Sequence, residues 1–341
     1  MIPERTPAPV ELLAAMGVSR LPIPVPFIEA GGPANVYVIE EEGGGLALFD
    51  AGIGTPEGLA SLEAGFSAIG RSLRELRRIF VSHGHVDHYG CARAAQEASG
   101  APVFCHVRDH DKLTWRDRGP ERLQRYLDWL HKLGAGAELC ATVVEHHREL
   151  TGMARPLDEV RPLAPGERLR FARFSAEALH LPGHTPGLTC LWDSEHRVLF
   201  SDDHLLEAVS PNPLIDLEGE KVPQHRALVE YLRSAVKARA LPAALVAPGH
   251  GAPFAEHVPL IDRLLGFYAR RQQRIVELLA EGPSTAADLA PQVFPRAKVS
   301  QHFLILSEVI GNLEVLEEQG HVARREVAGR FLFERTSAHS S

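Results

Sequence analysis

At 341 residues the chain has room for about two domains of ~150 residues each. Its hydrophobic share of 45% beside a charged share of 23% is that of a globular protein able to bury a sizeable core. No apolar run approaches the ~20 residues of a membrane span, and a net charge of −8 argues against nucleic acid or an anionic membrane as partner.

Met1 to Val10 carries Pro3, Pro7 and Pro9 but no apolar core for a secretion signal, so a cytoplasmic location is expected. Short β-prone runs follow at Arg20 to Pro26, Asn35 to Glu40 and Leu46 to Asp50. Gly31-Gly32-Pro33 and Gly43-Gly44-Gly45 divide them, as hairpin turns would. Asp50-Ala51-Gly52-Ile53-Gly54 leads into a helix predicted from Pro56 to Gly70. Arg78 to Val81 reads as a strand, Tyr89 to Ala98 as a helix and Pro102 to His106 as another strand. Strands followed by covering helices predict a layered α/β core.

Between His106 and Arg161 the pattern changes. Leu123, Tyr126, Leu127 and Leu130, then Leu139, Val143 and Val144, fall at helical spacing. They predict helices over Glu121 to Leu133 and Glu138 to Leu150, within an insertion of about 107–160. The pair is expected to wall a pocket. Trp115, Tyr126 and Trp129 either contact an apolar substrate or pack the helices together, and packing is the simpler reading of each ring. His131, His146 and His147 read as residues of a solvated helix face, and His180 as a support. Further on, the loop Leu205 to Val222 is expected beside the substrate, with His204, Asn212 and His225 as its polar candidates. Gln224 to Ala240 then reads as an amphipathic helix. Beyond Gly251 three helices are predicted, Val258 to Glu281, Ser284 to Val293 and Gln301 to Gln319. A hairpin from Arg324 to Arg335 follows, with Gly329 at its tip. Cys91, Cys105, Cys140 and Cys190 form no Cys-x-x-C pair and read as buried free thiols.

The chemistry concentrates in Ser82-His83-Gly84-His85-Val86-Asp87-His88, three imidazoles and a carboxylate directly after an apolar strand. Alternation puts His83 and His85 on one side, while Asp87 and His88 follow where the chain turns, so two ligand pairs can face two ions. Nitrogen and oxygen donors suit zinc, and also iron, manganese or cobalt. In a chain with 18 His, a polar loop rich in histidine is the plain alternative. Three later stretches weigh against it. Leu181 to Gly187 places His184 in a Gly/Pro turn, Val198 to His204 ends a strand in Asp202, Asp203 and His204, and Ala244 to Gly251 ends another in His250. Each candidate follows the carboxyl end of a strand, where active sites are built on rigid scaffolds.

Over about Asn35 to Gly251 this ordered set resembles the metallo-β-lactamase superfamily, whose pattern is His-x-His-x-Asp-His, a His in a Gly-His-Thr-x-Gly turn, an Asp after a strand and a final His. The resemblance implies an αββα sandwich with metals at one edge of two sheets. Carried over residue by residue, it makes His83, His85 and His184 ligands of a first metal and Asp87, His88 and His250 ligands of a second, with one aspartate bridging both. Gly-Asp-His is usual at the bridge, so Ser201-Asp202-Asp203-His204 aligns Asp203 as the bridging residue and Asp202 as its competitor. Cys91 stands where the family often has glycine. Two divalent ions are implied, zinc by default, with iron or manganese compatible, and the metal motif is similar to that of glyoxalase II. The three terminal helices and hairpin resemble the winged-helix module appended to some of these hydrolases. That divides the chain into a catalytic domain at 1–256 and a helical linker and winged-helix-like domain at 257–341. Residues 270–341 hold nine Arg/Lys against nine Asp/Glu, and the third helix carries Glu308, Glu314, Glu317 and Glu318. A helix that reads DNA needs positive charge facing phosphates, so packing or homodimerisation is the expected role.

The function implied is binuclear metal-dependent hydrolysis by a metal-bridging hydroxide, with Asp87 orienting the nucleophile and passing a proton to the leaving group. The expected small-molecule substrate is a carboxylic ester, thioester or lactone. An RNA or phosphodiester nuclease is the alternative, opposed by overall acidity and by the mere 46 residues between Asp203 and His250. An iron-dependent oxygenase and a non-catalytic regulator come after these. No Gly-x-Ser-x-Gly elbow supports a serine hydrolase. His85→Ala is expected to abolish activity and lower metal content per chain, measured by metal analysis of the purified variant; full activity would sink the assignment.

Overall fold

A computed structural model describes residues 9–26, 30–116, 120–211, 213–216, 225–296 and 301–336. Asn212, Gln224 and most of the Met1 to Val10 tail lie outside the described residues, and so does part of the loop expected beside the substrate.

Two sheets form the frame. In the first, β1 (Val18–Ile23), β2 (Ala34–Glu40), β3 (Leu46–Phe49), β4 (Leu76–Phe80), β5 (Val103–Cys105) and β6 (Arg161–Pro162) lie side by side in chain order. β1, β2 and β3 pair antiparallel, and β3 to β6 pair parallel. The second sheet, from β7 (Arg168–Arg170), β8 (Ser175–His180), β9 (Thr189–Asp193), β10 (Val198–Asp202) and β11 (Leu245–Pro248), runs in the order β11-β10-β9-β8-β7 and is parallel only between β10 and β11. The β2–β3 hairpin turns on Gly43, Gly44 and Gly45, all at positive φ, a conformation that costs glycine little.

A strand shows alternate side chains to opposite faces, and the central strands β2, β3, β9, β10 and β11 are buried on both. Tyr37 and Ile39 of β2, Phe49 of β3, Leu191 of β9, Val198 and Phe200 of β10, and Ala247 of β11 share the layer between the sheets. Phe200 meets the rings of Tyr37 and Phe49 edge-on, with centroids 5.3 and 6.3 Å apart. Their neighbours in register face outward. Val36, Val38 and Leu48 lie under α2 (Pro56–Ala68), while Cys190, Trp192, Leu199 and Val246 lie under α8 (Ala227–Arg239) and α9 (His257–Leu278). Two sheets between two helical layers result, an α/β fold with mixed sheets.

The other helices are α1 (Pro9–Ala15), α3 (Val86–Tyr89), α4 (Ala92–Ser99), α5 (His110–Thr114), α6 (Pro120–Lys132), α7 (Ala137–Thr151), α10 (Ala286–Val293) and α11 (His302–Glu318). The helix expected from Tyr89 to Ala98 is thus two short ones, parted at Gly90-Cys91. There Gly90 passes so close to Gly54 that a Cβ would sit 2.2 Å from its nitrogen, and the Cys91 thiol donates to Ile53 O. The cysteines are free, and Cys91, Cys105 and Cys190 are buried.

α6 and α7 form within a residue of their expected bounds. Their apolar stripe, Leu130, Leu133 and Val143, shares a core with Ile275 and Leu278 of α9, Leu289 of α10, and Leu306, Val309 and Leu313 of α11. Of the two roles open to the three rings, the structure shows the simpler one, packing. Trp129 meets Phe331 edge-on at 5.2 Å, Tyr126 lies against Phe303 and donates to Ile215 O, and the Trp115 indole donates to the Tyr89 hydroxyl. The hairpin β12 (Val322–Val327) and β13 (Arg330–Arg335) follows α11, and Ser284 bridges to Phe333.

Every residue of α11 from Ile305 to Leu316 is buried. Glu308 is paired with Arg271 of α9, and burial pushes the Glu314 carboxyl up to about 8 although Arg226 and Arg324 pull it down. A carboxyl raised above its ordinary 4.5 binds more proton folded than unfolded, so its stabilising contribution is complete below 4.5 and is lost as pH rises toward 8. Denaturant-unfolding free energy is therefore expected to decline between about pH 5 and 8, and Glu314→Gln to flatten that decline. An unchanged slope in the variant refutes this account of Glu314.

Candidate metal centre

Five loops converge, at the carboxyl ends of β3, β4, β8, β10 and β11. After β4 the chain bends rather than continuing as a strand, and α3 begins at Val86, so Asp87 and His88 leave its first turn. Asp50, just past β3 with φ 61°, fixes this bend. Its carboxylate accepts from Ser82 N at 2.8 Å and Ser82 Oγ at 2.9 Å and lies 3.1 Å from His88 Nδ1. His184 stands in the turn between β8 and β9. Asp203 follows β10, whose register with β11 shifts between Phe200 and Asp202, and Asp202 takes φ 48°. His250 follows β11, and Asn35 holds that loop by donating to Pro248 O and Gly251 O at 2.9 and 2.8 Å.

All seven residues singled out from the sequence come together. His85 Nδ1 is 3.0 Å from His83 Nε2 and 2.9 Å from His184 Nε2. His88 Nε2 is 3.2 Å from His250 Nε2, which lies 3.4 Å from Asp87 Oδ2. Asp203 stands between the groups, with Oδ2 3.3 Å from His184 Nε2 and 3.5 Å from His88 Nε2, and Oδ1 3.6 Å from His250 Nε2. His83, His85 and His184 make one set of atoms that could hold a metal ion, and Asp87, His88 and His250 make another. A third grouping joins His83 and His88 to Asp202 and Asp203.

The far sides of the rings are already engaged. His83 Nδ1 is 3.0 Å from Asp202 Oδ1, His88 Nδ1 faces Asp50, and His250 Nδ1 donates to Gly32 O at 3.0 Å. Such partners fix the tautomer and turn the opposite lone pair toward a metal. Burial, reinforced by His184, His83 and Lys112, holds His85 well below the usual imidazole range, in the neutral form that a ligand needs. Burial would raise Asp203, but His88 and His250 override it and keep the carboxyl well below its ordinary value. Asp203 Oδ1 is buried without a hydrogen-bond partner, a costly state that a cation would relieve. The donor set therefore fits divalent ions.

Asp202 turns away from this centre toward His83 Nδ1 and, at 3.5 Å, His88 Nδ1. His204 is buried beside Tyr231, and His225 supports the His184 turn by donating to Gly183 O at 3.0 Å. His180 donates to Pro186 O and stacks on His106, while His131 and His146 are exposed. Sequence reasoning missed two residues. Asp50 did carry a signal, a carboxylate ending an apolar strand as Asp202 and Asp203 do. Asp109 carried none, because Arg108-Asp109-His110-Asp111-Lys112 reads as a solvated stretch. It is in fact fully buried, and its carboxylate accepts from Gly84 N and Thr185 Oγ1.

A family model described as the metallo-beta-lactamase superfamily matches residues 30–250. The chain belongs to the metallo-β-lactamase superfamily. This member is a metal-dependent hydrolase by class. It is 26% identical over 313 residues to "Probable metallo-hydrolase YqjP" of Bacillus subtilis (strain 168), covering 89% of this chain and 92% of that protein. With "Acyl-coenzyme A thioesterase MBLAC2" of Gallus gallus it shares 26% identity over 185 residues, 52% of this chain and 59% of the relative. The crystal structure of a metallo-beta-lactamase family protein from Thermus thermophilus superposes with a TM-score of 0.78 at 29% identity, covering 94% of this chain and 99% of that one. Likeness over nearly the whole chain extends to the helices and hairpin after His250. Among the described residues no helix is long and apolar enough to cross a membrane.

Chelator-stripped protein is expected to gain about 4 kcal/mol of unfolding free energy when a divalent ion is restored at ~1,000 times its dissociation constant. A denaturation midpoint that zinc, iron and manganese all leave unmoved would count against a metal centre here.

Proposed function

We propose that this protein is a binuclear metal-dependent hydrolase of carboxylic acid derivatives, with thioesters the leading substrates and carboxylic esters and lactones beside them. The observation that carries the reading is the Asp203 carboxylate, its buried Oδ1 without a hydrogen-bond partner, between two sets of imidazole nitrogens. His83, His85 and His184 would hold one ion, Asp87, His88 and His250 the other, and Asp203 both. Zinc is the default for this donor set, with iron or manganese compatible. Bound there, two such ions supply water deprotonated near neutral pH and a Lewis acid for the substrate carbonyl.

The chain's own groups complete the chemistry. Burial favours the protonated form of Asp87, but His88 and His250 outweigh it, so the carboxyl lies below its ordinary value and is ionised at neutral pH. Asp87 Oδ2 can then accept a proton as the nucleophile attacks and return it to the leaving group. A thiolate leaves more readily than an alkoxide and asks less of that proton transfer. The thioesterase relative and the glyoxalase II-like motif support the same choice.

Residues 257–341 are read as a helical linker and winged-helix-like domain, after a catalytic domain at 1–256. Its third helix, α11, is buried from Ile305 to Leu316, which supports packing rather than nucleic-acid reading. A homodimer and a cytoplasmic location remain part of the proposal. The test is a panel of acyl thioesters, lactones, aryl esters, phosphodiesters and β-lactams, run with metal quantification. Turnover of thioesters, abolished by chelation and restored by metal, is expected; cleavage of phosphodiesters alone overturns the reading in favour of a nuclease.

A further inference from the structure

We infer that Asp109 is a positioning residue that sets the geometry of the His83, His85 and His184 cluster, and not that of the Asp87, His88 and His250 cluster. The inference rests on the metal reading above.

Asp109 ends a single 3-10 turn, Val107–Asp109, that follows β5. Four donors converge on its buried carboxylate. Oδ2 accepts from Gly84 N at 3.0 Å and Thr185 Oγ1 at 2.7 Å, while Oδ1 accepts from Gly187 N at 3.2 Å and Lys112 Nζ at 2.8 Å. Gly84 is the residue between His83 and His85, and Thr185 directly follows His184. One rigid group therefore grips the peptide between two candidate ligands and the turn that carries the third. Those ligands come from different sheets, His83 and His85 after β4 and His184 after β8, so their separation is not fixed by any one element.

The other contacts of the His184 turn run elsewhere. Ser234 donates to Pro182 O at 2.8 Å, His225 to Gly183 O and His180 to Pro186 O at 2.9 Å, fixing the turn to β8, α8 and the segment before α8. The backbone bond from Thr189 N to Ser82 O, 2.9 Å, joins the same loops at their base. Asp109 joins them at the ligands. The second cluster is oriented by Asp50 against His88 and by Gly32 O against His250. Lys112 neutralises the buried carboxylate and is itself paired with Asp216, which also pairs with Arg122 of α6 at 3.2 Å.

An asparagine at 109 offers one oxygen where the carboxylate offers two, and its amide must face at least one of the four donors. Loss of such an outer partner lowers metal affinity about 10–100-fold. The experiment titrates cobalt(II) into chelator-treated protein, following d–d absorption, with Asp109→Asn placed in two backgrounds. In His250→Ala, where the first cluster keeps its ligands, Asp109→Asn is expected to weaken binding by about 10–100-fold. In His184→Ala, where the first cluster is already broken, it is expected to change the remaining constant by less than about threefold, a shift well below the loss of an outer partner. Thr185→Val withdraws one of the four donors and is expected to move the same constant in the same direction, which keeps the inference testable if Asp109→Asn folds poorly. Equal weakening in both backgrounds, or in neither, overturns the inference while leaving the metal reading intact. Unsubstituted protein that takes up fewer than two ions fails the metal reading, and the inference falls with it.

Discussion

The contact between Tyr37 and Phe200 is where the stability of this fold and its chemistry meet. Phe200 belongs to β10, the strand that delivers Asp203, and its ring packs edge-on against Tyr37 across the layer between the sheets. The hydroxyl of Tyr37 donates to Pro248 O at 2.8 Å, two residues before His250. One buried aromatic thus sets the distance between the sheets and holds a ligand loop to that distance. Edge-to-face rings contribute about 0.5–1.5 kcal/mol beyond the area they bury. Their larger consequence here is geometric, since groups that must meet within about 3–4 Å, hydrogen-bond and ion-pair range, are borne by two separate sheets.

Bringing them together concentrates polar groups that burial opposes. His83, His88, Asp202 and Asp203 are all nearly inaccessible to solvent. Burial lowers His88, yet Asp202, Asp203 and Asp87 outweigh it and raise its pKa well above the ordinary value. Such an excess of carboxylate is what a divalent ion would answer. Around it lies a second layer, with Asp50 behind His88, Asp202 behind His83, and Asp109 between the two ligand loops. Each acts on ring direction or loop position rather than on a ligand atom. Hydrogen bonds from backbone, side chain or paired cation satisfy both oxygens of Asp50 and of Asp109, whereas Asp202 Oδ2 is buried without a hydrogen-bond partner.

The helical pair at 120–151 and the terminal helices share one core, so neither is a free appendage. Leu130, Leu133 and Val143 cover the apolar stripe on α9 to α11 and are covered by it. Gly311 allows α11 to approach Leu228 of α8 so closely that a Cβ would lie 2.9 Å from that side chain. The Lys112, Asp216 and Arg122 chain then carries α6 toward the Gly84 loop. Helices far from the ligands in sequence thereby brace the wall beside them.

Local order was legible where a pattern repeats over short range. Short β-prone runs divided by glycine turns placed β2 and β3, helical spacing placed α6 and α7 within a residue, and the His-x-His-x-Asp-His run with its three later partners named seven residues that converge. Their chemistry is written in residue type and spacing, which the chain carries directly. Other features depended on separation in space. The break between α3 and α4 comes from the close passage of Gly90 over Gly54. Packing was already the simpler reading of Trp115, Tyr126 and Trp129, but their partners came only with the fold, Phe303 of α11 for Tyr126 and Phe331 of the hairpin for Trp129. Asp109 sits in a run of charges that looks solvated, and only the meeting of the β4 and β8 loops brings donors from both to its carboxylate. Residue order alone named the atoms that could bind metal. Packing chose the carboxylates that stand behind them, because those hydrogen bonds join segments that are neighbours only once the sheets have met.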